Sequence, residues 1–524
     1  MKTRCFCLAA FSGILTTLAI PNEIKETGYS ILGFVAYVPL FIALNTLNKL
    51  EDKKTLIRLT VFYFIIANSL QNFWLGFFHA FGWITFIGVI IGYIPYSLTL
   101  GYFLYYSLKS FKNKTMTIAM LFTFYDYSRS IGFLAYPWGL AAFTVNNFNN
   151  LIQVADIFGV FFVSFIVYFL NSGIADFLIY KNKTNLLNTI FPILLIITSS
   201  TYGMLKKIEL KGLLEKEIDS LNIAAIQLNT DPWLPGNDKK GIRDSIAITK
   251  QALQENPKIE FVIWSEGVLT YPFNKEEQYF GDYDLHSELK SFIKERKIPF
   301  AIGAPSNVDK TIKIQQNSIY MVEPNLNIAN IYSKIFLVPF AEKIPFYEYE
   351  FVRNFFLKNF RILGQIEGNK IEILKLKKFK FAPLICYDDA FPELSRFYKI
   401  QGANTLLNFS NDSWSKTNSA EWQHFVVAKF RSIENGIKTI RATNSGITAI
   451  VNEYGESIKR LETFTKGYLL STVKLSPTFT TIYEKIGDSF IYILIMMFLI
   501  TTLRFYSMED KNQLLSSSLV KIKV

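Results

Sequence analysis

The feature that most constrains this chain is a series of long apolar runs, seven of them before residue 206 and an eighth near the C-terminus. The runs cover about residues 5–20, 28–47, 59–80, 83–108, 116–141, 151–179, 186–204 and 485–504. A helix needs roughly 20 mostly apolar residues to cross the hydrocarbon core of a bilayer. The sequence therefore predicts a polytopic α-helical membrane bundle with eight spans.

The part of the chain between the last two runs has a different pattern. Segments rich in β-branched and aromatic residues alternate there with helical ones, as in "EFVIWSE" at 260–266. Such alternation predicts an α/β sandwich whose apolar strands are covered by helices. We therefore expect a seven-span membrane domain at 1–205, a globular domain at 206–480, a span at 485–504 and a tail at 505–524.

The placement of basic residues indicates how the spans are oriented. A net charge of +12 is compatible with a nucleic-acid partner, since clustered Lys and Arg neutralise phosphates. The basic residues instead concentrate in alternate short connections, at the N-terminus and at 48–58, 109–114 and 181–183. Connections of that kind face the cytoplasm. We expect cytoplasmic termini, a globular domain on the outer side and no nucleic-acid partner.

Three side chains at predicted strand ends or nearby loops could carry chemistry. Glu266 follows "FVIWS", Lys334 lies in "IYSKIFLVPFAEKIPF", and Cys386 follows "FAPLI". A thiolate attacks acyl carbonyls, a carboxylate can take the thiol proton, and an ammonium stabilises the resulting oxyanion. Each residue also has a structural interpretation when taken alone, as a buried filler cysteine or a solvated surface charge.

Other kinds of site have weaker support in the sequence. A Cys–His pair is the main competitor, but His79 falls in an apolar run. His286 is expected on a surface helix, and both His286 and His424 are expected to be surface or hydrogen-bonding residues. No HExxH or paired-cysteine motif occurs, so no metal site is expected. Cys386 is the only cysteine of the globular region, which argues against a disulfide.

The ordered motifs "WSEG", "YSKIFLVPFAE", "LICYDDAFPEL" and "NFSNDSW" resemble those of the nitrilase (carbon–nitrogen hydrolase) superfamily. Combined with seven preceding spans and one following span, they resemble the apolipoprotein N-acyltransferase family. The resemblance implies a nitrilase-like α-β-β-α sandwich. It implies that Cys386 is the nucleophile, Glu266 the general base and Lys334 the stabiliser of oxyanion and thiolate, with Glu342 in a supporting role.

The resemblance also suggests residues that contact the substrate. These are Tyr387, Asp388 and Trp233, although Asp388 stands where the family is expected to have a glutamate. The aromatic segment at 336–360 predicts an arm lying over lipid headgroups. Its alternative is an internal packing helix of the globular domain.

The activity implied by the resemblance is acyl transfer from a membrane phospholipid, through a cysteine thioester, to the N-terminal amine of a diacylated apolipoprotein. This is the last step of bacterial lipoprotein maturation. We expect no cofactor, and a monomer in the bacterial inner membrane with its catalytic domain on the periplasmic side. The alternative is a membrane-tethered amidase or nitrilase that hydrolyses its substrate with the same triad. A non-catalytic lipoprotein-binding module would not need all three triad residues.

Overall fold

The computed structural model describes residues 1–78, 82–231, 234, 236–278, 284–309, 314–360 and 364–503. His79 and Trp233 lie outside the described residues.

The N-terminal part of the chain is a helical bundle. Its helices are α1 (Lys2–Ala19), α2 (Val38–Lys49), α3 (Lys53–Gln71), α4 (Gly82–Ser110), α5 (Lys114–Ser128), α6 (Ala155–Phe158), α7 (Val160–Tyr180) and α8 (Lys183–Leu214). Four helical segments are long and apolar enough to cross a membrane, namely Ser30–Lys49, α4, α7 and α8. A shorter apolar helix, α15 (Ser489–Leu503), lies near the C-terminus.

The run at 116–141 does not form one helix as the sequence predicts. Helix α5 ends at Ser128, and a loop follows. Pro137 opposes helical geometry in the residue before it, and Gly139 has φ +65°, which a glycine adopts without a Cβ penalty. Arg129 holds this loop by pairing with Asp126 at 3.2 Å and donating to the carbonyl of Trp138. We call residues 129–141 the bundle loop.

The globular part contains two sheets. Their strands are β1 (Asp219–Gln227), β2 (Phe261–Trp264), β3 (Phe300–Asp309), β4 (Ile314–Val322), β5 (Ile328–Ser333), β6 (Gly364–Gln365), β7 (Leu374–Leu376), β8 (Phe379–Ile385), β9 (Thr405–Ser410), β10 (Lys438–Thr443), β11 (Ala449–Val451), β12 (Ser457–Arg460) and β13 (Gly467–Leu475). The first sheet has the order β13-β1-β2-β3-β4-β5, with β6 beside β4. The second has the order β12-β11-β10-β9-β8-β7. Within them, β1, β2 and β3 run parallel, as do β8, β9 and β10.

The remaining helices of the described chain are α9 (Asn237–Glu255), α10 (Ser287–Arg296), α11 (Glu350–Phe360), α12 (Pro392–Ile400), α13 (Asn418–Asn435) and α14 (Ile482–Ile486).

The two sheets pack face to face through a buried apolar layer. In that layer the rings of Phe261 and Phe381 stack at 5.7 Å between centroids. Helices α9 and α10 contribute apolar side chains to a second core on the far side of the first sheet. The nitrilase-like α-β-β-α arrangement is therefore present.

Helices α12 and α13 follow strands of the second sheet, and α13 contacts α6 of the bundle. Val427, Phe430 and Ile433 of α13 belong to the same continuous apolar core as the helices of the bundle. Burial of this kind is the main favourable contribution to folding. The sandwich and the bundle thus share one core.

Candidate active site

Cys386 occupies a turn at the carboxyl end of a central strand. Strand β8 is almost wholly buried, and a 3₁₀ turn, Cys386–Ala390, follows it directly. The backbone of Cys386 has φ 48°, in the left-handed region that non-glycine residues seldom adopt. Such a conformation costs on the order of 1–3 kcal/mol and persists only where its surroundings impose it. The turn leaves the thiol partly buried, at the edge where the parallel strands end.

Glu266 follows β2, and hydrogen bonds hold both of its carboxylate oxygens. Oε1 accepts a 2.6 Å bond from the side-chain amide of Asn317, and Oε2 accepts a 2.8 Å bond from the backbone amide of Asn411. Burial raises the pKa of the Glu266 carboxyl to about 7, although the nearby Lys334 ammonium opposes the rise. A base with this pKa exchanges protons readily at neutral pH.

Lys334 follows β5 and is almost fully buried. Its Nζ lies 2.9 Å and 2.8 Å from the two carboxylate oxygens of Glu342. One of those oxygens also accepts a 2.8 Å bond from the amide of Val338. Burial alone would lower the pKa of the Lys334 ammonium, but the negative charges of Glu342 and Glu266 outweigh it and raise that pKa. Lys334 therefore stays positively charged.

The resting form of Cys386 is the neutral thiol. Burial raises its pKa well above the usual value, the Glu266 carboxylate raises it further, and Lys334 opposes both. Because the thiolate is the reactive form, the proton has to leave as the sulfur attacks. The charge of Glu266 acts on this thiol, and its expected role as the base that accepts the proton stays a prediction.

Asp388 links the turn of Cys386 to the segment after Lys334. Its carboxylate accepts hydrogen bonds from the hydroxyl of Tyr332 at 2.7 Å and the amides of Ile385 at 3.0 Å, Phe336 at 2.8 Å and Ile335 at 3.2 Å. Burial raises the pKa of Asp388 to about 6. All these contacts lie within the protein, so the substrate-binding role expected for Asp388 stays a prediction, and the geometry favours a positioning role.

Tyr387 faces the bundle. Its hydroxyl donates to the carbonyl of Ala135, and its ring stacks on Trp138 with centroids 6.2 Å apart. Ala135 and Trp138 both belong to the bundle loop, and the side chain of Tyr387 is buried. One wall of the site therefore comes from the membrane part of the chain. A substrate contact by the Tyr387 side chain stays a prediction, as does the role of Trp233, which lies outside the described residues.

The aromatic segment at 336–360 is largely exposed. Phe346 and Phe351 are 67% and 74% accessible, and Phe340, Tyr349 and Phe355 are also exposed. Tyr347 is the buried exception among these rings. Clustered exposed apolar side chains mark surfaces that contact a membrane or another apolar partner. The geometry favours the predicted arm over an internal packing helix.

His424 is the functional candidate that the sequence did not reveal. It is buried, with Nδ1 2.9 Å from Asp412 and Nε2 3.1 Å from Asp389 and 3.3 Å from the carbonyl of Cys386. Burial alone would lower the pKa of the imidazole, but Asp389 and Asp412 outweigh it and raise that pKa to about 10. A ring protonated on both nitrogens is neither a base nor a ligand.

This protonation also bears on metal binding. Cys386, Asp412 and His424 offer donor atoms that all lie within 4.8 Å of one another. A metal ligand needs a free ring nitrogen, and both nitrogens of His424 already pair with carboxylates, Nδ1 with Asp412 and Nε2 with Asp389. The arrangement fits an ion-pair network better than a metal centre.

His286 is a hydrogen-bonding residue, which was one of its two expected roles, but it does not lie on the surface. The residue is buried, and its Nε2 lies 3.1 Å from the carbonyl of Tyr271. It immediately precedes α10, whose apolar face packs on the sandwich, and this explains the burial.

Two family models match the chain. "Apolipoprotein N-acyltransferase N-terminal domain" matches residues 12–173, and "Carbon-nitrogen hydrolase" matches residues 222–483. The chain is similar to the "Apolipoprotein N-acyltransferase" of Borreliella burgdorferi, with 90% identity and 100% of both chains covered. It is 33% identical to "Apolipoprotein N-acyltransferase 2" of Treponema denticola, over 94% of this chain and 96% of that one. A carbon-nitrogen hydrolase structure from Helicobacter pylori G27 covers 49% of this chain and 89% of that chain, with 19% identity and a TM-score of 0.37.

Proposed function

The chain belongs to the apolipoprotein N-acyltransferase family, and from this premise we propose that it N-acylates apolipoproteins with a chain taken from a membrane phospholipid. The acyl group passes through a thioester on Cys386. The observation that carries the proposal is the surroundings of the Cys386 thiol, which lies on a turn with left-handed backbone geometry. The carboxyl of Glu266, with a pKa of about 7, and the buried ammonium of Lys334 belong to the same site, and the bundle contributes one of its walls.

The first step forms the thioester. Cys386 Sγ attacks the ester carbonyl of the phospholipid while Glu266 takes the thiol proton. Lys334 and the backbone amide after the nucleophile stabilise the oxyanion. The C–O bond of the ester then breaks, and Glu266 returns the proton to the hydroxyl of the departing lysophospholipid.

The second step transfers the acyl group to nitrogen. The neutral α-amine of the diacylglyceryl-cysteine attacks the thioester carbonyl, and the C–S bond breaks as the amide forms. Glu266 takes a proton from the amine and passes it to the Cys386 sulfur. The thiol is restored, so no cofactor enters the balance.

The surroundings of the site favour substrates that stay in the bilayer. The bundle loop supplies Ala135 and Trp138 beside Tyr387, and Phe133 of the same loop contacts Phe340 of the aromatic segment edge to face. Donor and acceptor both carry acyl chains, and these apolar surfaces can contact those chains along the path from the bilayer to the thiol of Cys386.

The proposal includes the arrangement in the membrane. Helices α1, α3, α5 and α15 add four spans to the four that meet the length and hydropathy requirement. Eight spans place both termini in the cytoplasm of a bacterial inner membrane and the sandwich on the periplasmic side, in agreement with the basic connections. The proposal keeps the expectation of a monomer.

The decisive experiment follows the acyl-enzyme. The membrane-embedded protein is incubated with phospholipid labelled in its acyl chains, and a hydroxylamine-sensitive adduct is expected. Cys386→Ala should abolish the adduct, whereas Cys7→Ala, which removes an exposed thiol of α1, should leave it unchanged. No adduct on the wild-type protein would overturn the thioester pathway.

The fate of the adduct distinguishes acyl transfer from hydrolysis. A diacylated peptide with a free N-terminal amine should discharge the label into an amide. Discharge by water alone, at an equal rate with and without the peptide, would instead indicate the membrane-tethered hydrolase.

A further inference from the structure

A buried cluster of two cations and two anions lies directly behind the turn of Cys386. His424 and Arg441 are its cations, and Asp389 and Asp412 are its anions. Arg441 lies 2.8 Å from Asp389 and 3.4 Å from Asp412. All four side chains are buried, so each charge depends on its partners inside the protein. We call these four residues the charge quartet.

The quartet joins two loops that are far apart in sequence. Asp389 lies on the same 3₁₀ turn as Cys386. Asp412 follows β9 and is the neighbour of Asn411, whose amide donates to Oε2 of Glu266. His424 contacts both aspartates and also the carbonyl of Cys386. One imidazole ring thus connects the loop of the nucleophile with the loop that holds the base.

The imidazole ring of His424 is also held by contacts with the bundle. Gln423, its neighbour on α13, donates to the carbonyls of Pro21 at 3.0 Å and Gln71 at 3.2 Å, both in the bundle. Trp138 of the bundle loop lies 5.4 Å from the His424 ring, centroid to centroid. The imidazole is therefore fixed relative to the bundle as well as to the two loops.

We infer that His424 is a positioning residue, which as part of the charge quartet sets the separation between the Cys386 thiol and the Glu266 carboxylate. The inference rests on the proposed function and assigns no contact between His424 and the substrate. A neutral side chain at this position cannot pair with both aspartates, so the two loops lose their common anchor. A displacement of the reacting groups by about 1 Å lowers catalysis roughly 100-fold.

The test uses the full-length protein in membranes and the variant His424→Gln. The rate of thioester formation from labelled phospholipid is measured over a range of donor concentrations. We expect kcat to fall about 100-fold, while KM changes less than about threefold because the substrate route is unaltered. The rate of Cys386 alkylation by iodoacetamide should fall as well, since Glu266 no longer lies at the right distance.

His286→Gln is the matched control. It replaces another buried histidine of the sandwich, outside the charge quartet. This variant should retain kcat and the alkylation rate within about threefold. An equal loss in both variants would mean that any buried histidine affects the enzyme through stability alone, and would overturn the inference.

Two further outcomes would overturn the inference about His424. A kcat of His424→Gln within threefold of wild type would overturn the inference, and so would a loss carried mainly by KM. Should His424→Gln fail to fold, Asp412→Asn, which keeps the volume of the side chain, replaces it under the same criteria. The proposed function fails separately, because it requires a Cys386-dependent adduct on the wild-type protein.

Discussion

The side-chain amide of Asn317 donates a 2.6 Å hydrogen bond to Oε1 of Glu266. The carbonyl of the same Asn317 accepts a 2.8 Å bond from the backbone amide of Lys334. One asparagine on β4 therefore contacts the proposed base through its side chain and the proposed oxyanion stabiliser through its backbone. The relative position of the two groups depends on the pairing of β4 with β5.

We expect the rate of thioester formation to rise with pH and to level off above about 7. Burial raises the pKa of Glu266 to about 7, and only its ionised form accepts the thiol proton. Below that pKa the rate should fall about tenfold per pH unit. Rates of adduct formation between about pH 5 and 8 provide the measurement. A rate independent of pH over this range would exclude Glu266 as the base.

Asn317→Ala should move this pH dependence upward. The lost hydrogen bond favours the ionised carboxylate, so its removal raises the pKa of Glu266 further. A hydrogen bond to a charged group is worth about 1.5–3 kcal/mol, which corresponds to a shift of roughly one to two pH units. Asn325→Ala, in the exposed turn between β4 and β5, is the control and should give the wild-type profile. A downward shift in Asn317→Ala would contradict the assignment.

Glu342→Gln should slow thioester formation about 10- to 100-fold, because it removes the partner that orients the Lys334 ammonium. Loss of an oxyanion donor costs about 100- to 1,000-fold, and a misdirected donor costs less than a missing one. Glu348→Gln replaces an exposed glutamate of the same segment and should leave the rate unchanged. Equal rates for Glu342→Gln and the wild type would contradict the supporting role.

Asp388 should tolerate neither asparagine nor glutamate. In Asp388→Asn, an NH₂ group replaces one of the oxygens to which four donors point, and leaving a buried donor unsatisfied costs about 1–3 kcal/mol. In Asp388→Glu, the added methylene overpacks a closed site at a cost of about 1–3 kcal/mol. Unfolding of the detergent-solubilised protein measures both losses. Wild-type stability in both variants would show that Asp388 does not hold the two loops together.

The proposed triad of Glu266, Lys334 and Cys386 came from the order of the sequence motifs and their resemblance to a known family, and its roles stay a prediction. The sequence did not reveal β5, the strand that positions Lys334, because "IANIYS" is only partly buried and lacks a clear alternation. The charge quartet could not be predicted from the sequence, for another reason. Asp389, Asp412, His424 and Arg441 lie on separate elements, and only the folded sheet brings them together.

The bundle shows a related limit of sequence patterns. The run at 116–141 is apolar throughout most of its length, yet only its first half is helical. Apolar composition does not distinguish a segment that faces lipid from a loop buried under another domain. The bundle loop combines both kinds, because Ile131, Phe133 and Leu134 are exposed, whereas Ala135 and Trp138 are buried and contact Tyr387 of the sandwich.

The core shared by α13 and the bundle has a consequence for how the protein is made. A sandwich released by cutting the chain after α8 would expose Phe391, Phe430 and Ile433 to water. Exposed apolar side chains of this kind promote aggregation. Because the bundle precedes the sandwich in the chain, we expect its apolar surface to support the folding of the later segments. We therefore expect the catalytic site to form only in chains whose bundle is itself correctly folded.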